Sequence, residues 1–489
     1  MERILSLPAH IATLAPRDRE DAARLTTLVP AEATAIEYRL DLAEKPVPPA
    51  TLLALDPRPV IVTYRTHGEG GGFGGSREEY RRVVTEAYES GATVDIEHTS
   101  GLLAEGADFP DRRRVVVSHH APFALPEDWA DRLSAMLSLG ARAVKLVAGA
   151  ADLPASLVIA RIQKRQSDPA VAFFPMGPAS APGRILSALS GASLVYGSVD
   201  RQTAAGQVRL QDLLGVYAVD RPRRIEALFG IVGGDVAGSL SPLVHNSLFR
   251  ARELPWLYLP LPVSDFARTK PQELEFDPAF RGFSVTRPWK REAALTAVPS
   301  EDVRLTGAAN TLLLERGRWW AENTDIDGVF DPLADHDTGE GRSAVILGAG
   351  GVARAAVVAA RRIGYEVLVA SRRDEEADAL ASELRVDSLA WEDVSASEAD
   401  LYINATSLGA EGDTSALPAS VLAHQPLVFD CVYRRGGGET ETVRAARAAG
   451  CRVIDGLTMF CAQAVRQARL FGVGDATLEE VTRWARESA

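Results

Sequence analysis

The chain has 489 residues, 46% of them apolar and 24% charged, the composition of a soluble globular protein of roughly two to four domains. Its net charge of -13 argues against a nucleic-acid or anionic-membrane partner, and three cysteines without a CxxC spacing exclude a disulfide framework and a cysteine-rich metal site. No stretch reaches the ~18 to 20 apolar residues of a membrane span, and the early acids of MERILSLPAHIATLAPRDRED argue against a signal or transit peptide, so the cytoplasm is the expected compartment.

From the N-terminus, short apolar runs alternate with amphipathic stretches such as SREEYRRVVTEAYESG. Eight runs read as strands: ILSLP, TAIEYRLDL, PVIVTYR, TVDIEH, RVVVSHH, RAVKLVA, VAFFPMG and SLVYGS. Eight strands joined by crossovers over residues 1–218 predict a (β/α)8 barrel in preference to a doubly wound sheet. The basic, proline-broken segment 219–227 reads as a linker. A second α/β pattern follows, with 228–334 as one domain and 335–458, opening on the turn-rich DHDTGEGR, as a dinucleotide-binding domain. Residues 459–489 close the chain as helices packing back on the 228–334 domain.

In a barrel, chemistry gathers where strands end. Glu37, Arg39, Arg65, Glu97, His120, Lys145 and Arg184 all stand within or just after predicted strands. Only five of the 53 basic residues are lysines, so Lys145, between Ala-Val and Leu-Val, marks a place where arginine would not serve. A desolvated lysine favours the neutral amine, which can attack a ketone and form an imine. His120 is the candidate proton carrier, Glu97 a carboxylate able to orient it, and the arginines a site for a carboxylate and hydroxyls. Each residue alone also has a bland reading, as a snorkelling lysine, a polar lining histidine or a structural ion pair; the conjunction carries the argument.

The spacings E-x-R, T-x-R-x-x-x-E-G-G, D-x-E, S-x-H, V-K and M-G resemble type I 3-dehydroquinate dehydratase over residues 1–215. The resemblance implies that Lys145 forms a Schiff base with the substrate ketone, and that His120 is the general acid/base with Glu97 beside it. It also implies that Glu37, Arg39, Arg65, Arg184, Thr203 and Gln207 bind substrate. Two departures stand out: Gly183 precedes Arg184 where the family usually has serine, and the lid reads Thr203-Ala204-Ala205-Gly206-Gln207 without the usual proline, a change expected to loosen it.

In the second half, G-A-G-G-V-A follows the strand SAVIL and opens the helix ARAAVVAARR, the context in which backbone N–H groups bind a pyrophosphate. Gly348, Ala349, Gly350, Gly351 and Val352 are therefore candidate cofactor contacts. The next strand ends in Ser371-Arg372-Arg373 rather than in an acid, which favours a 2′-phosphate and NADP. Upstream, Lys290 and Asp325 are a candidate acid/base pair for a carbonyl receiving hydride.

The patterns S-x-S, T-x-P-x-K, G-A-x-N-T, N-T-D-x-x-G and N-A-T-S-x-G resemble shikimate dehydrogenase over roughly residues 226–475. The likeness implies Lys290 and Asp325 as the catalytic pair, and Ser239, Ser241, Thr286, Asn310 and Gln463 as shikimate contacts. It places Val432, Tyr433 and Gly456 near nicotinamide and substrate. Trp289 and Ala410 depart from the family's histidine and methionine. The resulting expectation is a bifunctional enzyme that dehydrates 3-dehydroquinate and reduces the product, 3-dehydroshikimate, with NADPH, as a monomer or homodimer without a metal. The rival readings are a catabolic quinate/shikimate dehydrogenase and a non-catalytic ligand sensor.

Overall fold

The apolar runs of the N-terminal region become eight parallel strands: β1 (Ala9–Leu14), β2 (Ala35–Arg39), β3 (Val60–Thr63), β4 (Thr93–Glu97), β5 (Val115–Ala121), β6 (Ala143–Gly149), β7 (Val171–Met176) and β8 (Leu194–Ser198). Their order is β7-β6-β5-β4-β3-β2-β1-β8, with β1 paired to both β2 and β8. Among the described residues β7 and β8 share no ladder; the Ser193 N–H donates to Val171 O at 2.9 Å across that seam. The computed structural model describes residues 3–487 except 106, 107, 222, 337, 338, 411, 413 and 435. Part of the expected linker (Pro222) and of the turn DHDTGEGR (Asp337 and Thr338) thus lies outside the described residues. One compact unit comprises residues up to Arg224 with Leu274–Asp277, the other Ile225–Glu273 and Pro278 onward.

The first strand differs from the expectation. It is AHIATL and not ILSLP, because Pro8 has no N–H to give a ladder and the alternating pattern begins only after it. Leu5 instead packs, fully buried, into the core cluster with Ala9, Ile11, Ala35 and Ile61.

Period-two alternation then sorts every barrel strand. One face of the strands, with Ile36, Tyr38, Val62, Val94, Ile96, Val117 and Leu146, packs in the larger apolar cluster with helix residues such as Tyr80 and Val84. Burying each such aliphatic side chain contributes on the order of 2 kcal/mol. The opposite face is apolar low in the barrel, with Ile11, Ala35, Ile61, Val116 and Ala143. Two and four residues further along each strand it becomes Glu37 and Arg39, Thr63 and Arg65, Ser118 and His120, and Lys145. The helix Arg77–Glu89 illustrates the outer layer: a reciprocal capping box between Ser76 and Glu79 starts it, and it buries Tyr80, Val84, Ala87 and Tyr88.

The second unit has two sheets. In the first, β9 (Ala227–Gly233), β10 (Trp256–Pro262), β11 (Phe280–Val285), β12 (Val298–Pro299), β13 (Thr311–Glu315) and β14 (Arg318–Glu322) lie in the order β10-β9-β11-β13-β14-β12. In the second, β15 (Ser343–Leu347), β16 (Glu366–Ala370), β17 (Asp387–Ser388), β18 (Leu401–Asn404), β19 (Leu427–Asp430) and β20 (Val453–Ile454) are all parallel, in the order β17-β16-β15-β18-β19-β20. That is a doubly wound dinucleotide-binding order, with its switch point between β15 and β18.

Two element boundaries fall earlier than expected. The helix Asp325–Ala334 buries Ile326, Val329 and Leu333 in one cluster with Ala344 and Ile346 of the second sheet, so the chain joins that layer ten residues before 335. The closing helix begins at Gly456 rather than 459, capped by Asp455. Its Phe460, Ala464, Val465 and Ala468 pack with Ala227, Phe229, Ile231 and Tyr258 of the first sheet and its covering helices.

Candidate active sites

The polar ends of the barrel strands converge on a cavity lined by Glu37, Arg39, Arg65, His120, Lys145, Arg184, Thr203 and Gln207, together with Tyr196, Phe174 and Met176. Every barrel residue singled out in the sequence lines it except Glu97. Lys145 is 2% exposed. Its Nζ is 2.6 Å from Asp95 Oδ2, 3.7 Å from Glu37 Oε1 and 4.4 Å from the centre of the Tyr196 ring. The surroundings of this amine are therefore not simply apolar, as the flanking residues implied. A carboxylate from β4 is paired with it. Burial by itself would push the Asp95 carboxyl up, but the Lys145 charge, His120 and hydrogen bonds together outweigh burial and hold it below its ordinary range.

His120 is the inward histidine of the His119-His120 pair. Its Nδ1 lies 2.9 Å from Glu69 Oε2, and its backbone N–H donates to the same oxygen at 2.9 Å. Its Nε2 is buried with no protein partner. Burial, reinforced by Arg65, drives the imidazole down to about 3 against the opposing pull of Glu69, so the ring is neutral at physiological pH. With Nδ1–H donating to Glu69, Nε2 carries the free lone pair.

This corrects the expectation for Glu97. Both its oxygens are taken by Thr66, from N at 2.7 Å and from Oγ1 at 2.8 Å, so it anchors the backbone after Arg65 instead of orienting His120. Burial and the neighbouring Glu69 charge raise its carboxyl to about 7. Glu69 is held below its ordinary range: burial opposes this, but the two histidines beside it and the Thr99 hydroxyl together prevail. Sequence reasoning missed Glu69 and Asp95. Glu69 sits in a loop, where no periodicity reports direction, though the motif T-x-R-x-x-x-E-G-G contains it. Asp95 shares the parity of Glu97 on β4 and could have been found by the same alternation.

The arginines differ among themselves. Arg39 forks onto Asp41, with Nε and Nη2 at 2.8 and 2.7 Å from its two oxygens. Arg65 and Arg184 are 7% and 9% exposed, and the Nε of each is buried without a hydrogen bond. Neither guanidinium forms an ion pair among the described residues. Burial, then Arg65, lowers the Arg184 guanidinium to about 10. Two desolvated guanidiniums without an ion-pair partner, in one cavity with a buried lysine, are suited chemically to receive an anion.

The lid and Gly183 departures both have local reasons. Thr203 N and Oγ1 both donate to Gln207 Oε1 at 2.9 Å, so the loop is tied internally without proline. A Cβ at Gly183 would lie 2.5 Å from Ser156 Oγ and 2.6 Å from Pro175 Cγ, which leaves no space for the family's serine between the helices Leu153–Lys164 and Ala181–Leu189.

In the second unit Lys290 Nζ and Asp325 Oδ2 are 2.5 Å apart, both buried. Asn310 donates to Asp325 Oδ1 and to Thr324 Oγ1, both at 2.9 Å, and accepts from Thr324 N and Thr311 Oγ1, both at 2.8 Å. Its amide is saturated, and it acts here on Asp325 rather than offering free groups to a ligand. Gln463 accepts from Thr324 Oγ1 at 3.3 Å, Ser239 Oγ accepts from Ser241 N at 3.2 Å, and Tyr433 packs on Phe460 with centroids 5.5 Å apart. Thr286 follows β11, and its Cγ2 lies 2.3 Å from where a Cβ on Gly233 would be. Trp289, in place of the family's histidine, donates Nε1–H to Val263 O at 2.8 Å.

The Lys290 stem abuts the glycine turn: a Cβ on Gly351 would lie 2.8 Å from Lys290 Cδ. Gly350 caps the helix Gly351–Ile363 with an ordinary φ of -82°, and a Cβ there would meet nothing within 4 Å. Neither backbone nor packing requires glycine at 350; room above a helix N-terminus is what it leaves. Ala349, Val352 and Val432 are half-buried, and a Cβ on Gly456 would collide with Val432 C and O at 2.3 Å. At the end of β16 Ser371 is buried, Arg373 pairs with Glu376 at 2.8 Å, and Arg372 is exposed.

Comparison with known proteins follows this division. Residues 11–223 match the family described as type I 3-dehydroquinase, and residues 231–312 the shikimate dehydrogenase substrate binding domain. The chain is 34% identical over 257 residues to a shikimate dehydrogenase (NADP(+)) of Maridesulfovibrio salexigens, covering 50% of this chain and 91% of that one. A solved shikimate dehydrogenase in complex with NADP+ superposes with a TM-score of 0.50 at 26% identity, over 54% of this chain and 97% of that one. The chloroplastic bifunctional 3-dehydroquinate dehydratase/shikimate dehydrogenase of Arabidopsis thaliana is 30% identical over 452 residues, 86% of this chain and 74% of the relative. With both family matches in one chain and a bifunctional relative aligned along most of its length, the chain belongs to the family of bifunctional 3-dehydroquinate dehydratase/shikimate dehydrogenases.

Proposed function

We propose that the barrel dehydrates 3-dehydroquinate through an imine on Lys145 and that the second unit reduces the resulting 3-dehydroshikimate to shikimate with NADPH. The observation that carries the first step is the buried Lys145 beside two uncompensated guanidiniums and an imidazole whose Nε2 has no protein partner. Arg65 and Arg184 bind the substrate carboxylate and bring the ketone to Lys145. Nζ replaces the carbonyl oxygen, which leaves as water, and the iminium withdraws electrons from the neighbouring carbon. His120 Nε2 takes the α-proton and returns it to the departing hydroxyl, which leaves as a second water; one water then hydrolyses the product iminium, restoring the ketone and the Lys145 amine. Glu69 keeps the imidazole in the tautomer that can do so.

In the second unit the open space at Gly350 and the exposed Arg372 fit a pyrophosphate and a 2′-phosphate, so Gly348 to Val352 with Ser371, Arg372 and Arg373 would hold NADP. When bound, that cofactor supplies the hydride. Lys290 donates the proton to the carbonyl oxygen, and Asp325, fixed by Asn310, keeps the ammonium aimed. Ser239, Ser241 and Thr286 favour shikimate over quinate. Among the described residues no helix is long and apolar enough to cross a membrane. The three free cysteines suit the reducing cytoplasm as the compartment.

Borohydride reduction in the presence of 3-dehydroquinate, read by peptide mass spectrometry, is expected to fix one substrate-derived adduct on Lys145. An unmodified Lys145 in turning-over enzyme contradicts the imine.

A further inference from the structure

One buried carboxylate of the barrel touches the amine of Lys145 and has no part in the proton transfer assigned to His120. Asp95 is 2% exposed, on β4, and its Oδ2 stands 2.6 Å from Lys145 Nζ. Glu37 is farther, at 3.7 Å, and already accepts from Thr63 Oγ1 at 2.9 Å. The face of the Tyr196 ring closes another side of the amine at 4.4 Å. His120 on β5, Arg65 after β3 and Arg184 line the same cavity.

The charge balance of the reaction gives this geometry a meaning. A lysine ammonium and a ketone yield an iminium and one water, so a positive charge sits on the same nitrogen before and after the exchange. Between those states the ammonium must lend a proton to make the attacking lone pair, and the proton must come back to the oxygen that leaves as water. A carboxylate in hydrogen-bond contact with Nζ can hold that proton for the interval and face the nitrogen's charge at both ends. In a site that also contains two unpaired guanidiniums, an iminium with no counter-ion would lose its N–H proton and with it the power to withdraw electrons.

We propose that Asp95 is a catalytic residue of the dehydratase, the base that frees the Lys145 amine and the counter-ion that keeps the imine protonated. The proposal rests on the Schiff-base reading of Lys145. Removing the negative charge disfavours both cationic forms, ammonium and iminium, so both titrations move to lower pH.

The test is the pH dependence of borohydride trapping on the full chain with 3-dehydroquinate. Asp95→Asn is expected to move the alkaline limb of adduct formation down by about one unit or more, a tenfold loss at a fixed pH on that limb. Asp95→Glu, which keeps the charge, is expected to restore the limb. An Asp95→Asn limb within about 0.3 unit of the unaltered chain overturns the proposal, as does a glutamate variant that behaves like asparagine. A crystal structure of the reduced adduct on the unaltered chain gives a reading independent of variant folding: the carboxylate is expected within hydrogen-bond distance of Nζ, and a separation beyond about 5 Å overturns the assignment. Absence of any adduct on the unaltered chain refutes the imine itself, a result distinct from a normal adduct with an unmoved pH limb.

Discussion

Arg184 combines burial, a nearby second guanidinium and no carboxylate of its own, with its guanidinium carbon 4.9 Å from the centre of the Phe174 ring. A free enzyme pays for such an arrangement in stability and recovers it when an anion binds. Arg184→Met, which keeps most of the side-chain volume, is therefore expected to lower kcat/KM for dehydration by ~10² or more, from loss of a charged hydrogen bond worth about 3 kcal/mol. Its melting temperature is expected to stay level or rise. Kinetics and calorimetry on one preparation check both halves, and a variant that loses stability while keeping kcat/KM within about twofold contradicts the receptor role. Arg39 offers the contrast: its fork is satisfied by Asp41 two residues on, a pairing visible in R-L-D yet indistinguishable in sequence from a free cation.

At the scale of elements, the glycine turn after β15 separates ligand demands from folding demands. Gly350 has unstrained backbone and open space where a Cβ would go, so Gly350→Ala is expected to raise KM for NADP by at least about tenfold, ~1.4 kcal/mol. Unfolding free energy should change by less than about 1 kcal/mol, the range of a lost glycine cap. Unchanged cofactor affinity contradicts a pyrophosphate lying over this turn. Strand periodicity made much of the barrel site readable: Glu37, His120 and Lys145 fall on one parity with apolar residues below them, and S-x-H rather than S-H points inward. Loops carry no such period. The sequence therefore left Glu69 unassigned and gave its task to Glu97, whose place at the end of β4 spends it on Thr66. The first strand was misplaced because an apolar run counts as a strand only where N–H groups are free to pair, and Pro8 ends that one. The helix Asp325–Ala334 shows the same limit from another side: its i, i+3, i+7 stripe states that a face is buried, but not against which sheet.

On the scale of the whole molecule, each unit carries its own candidate catalytic groups. Those of the barrel lie between Glu37 and Gln207, and those of the second unit between Ser239 and Gln463. The two reactions should accordingly be separable by single substitutions, and the product of one is the substrate of the other. The most direct measurement is NADPH oxidation by the full chain supplied with 3-dehydroquinate alone, with shikimate scored as product. The unaltered chain is expected to consume NADPH and form shikimate. Lys145→Ala is expected to do so only when given 3-dehydroshikimate, and Lys290→Ala to accumulate 3-dehydroshikimate without consuming NADPH. Failure of the unaltered chain to form shikimate, or loss of both steps in either variant, would contradict two independent active sites in one chain.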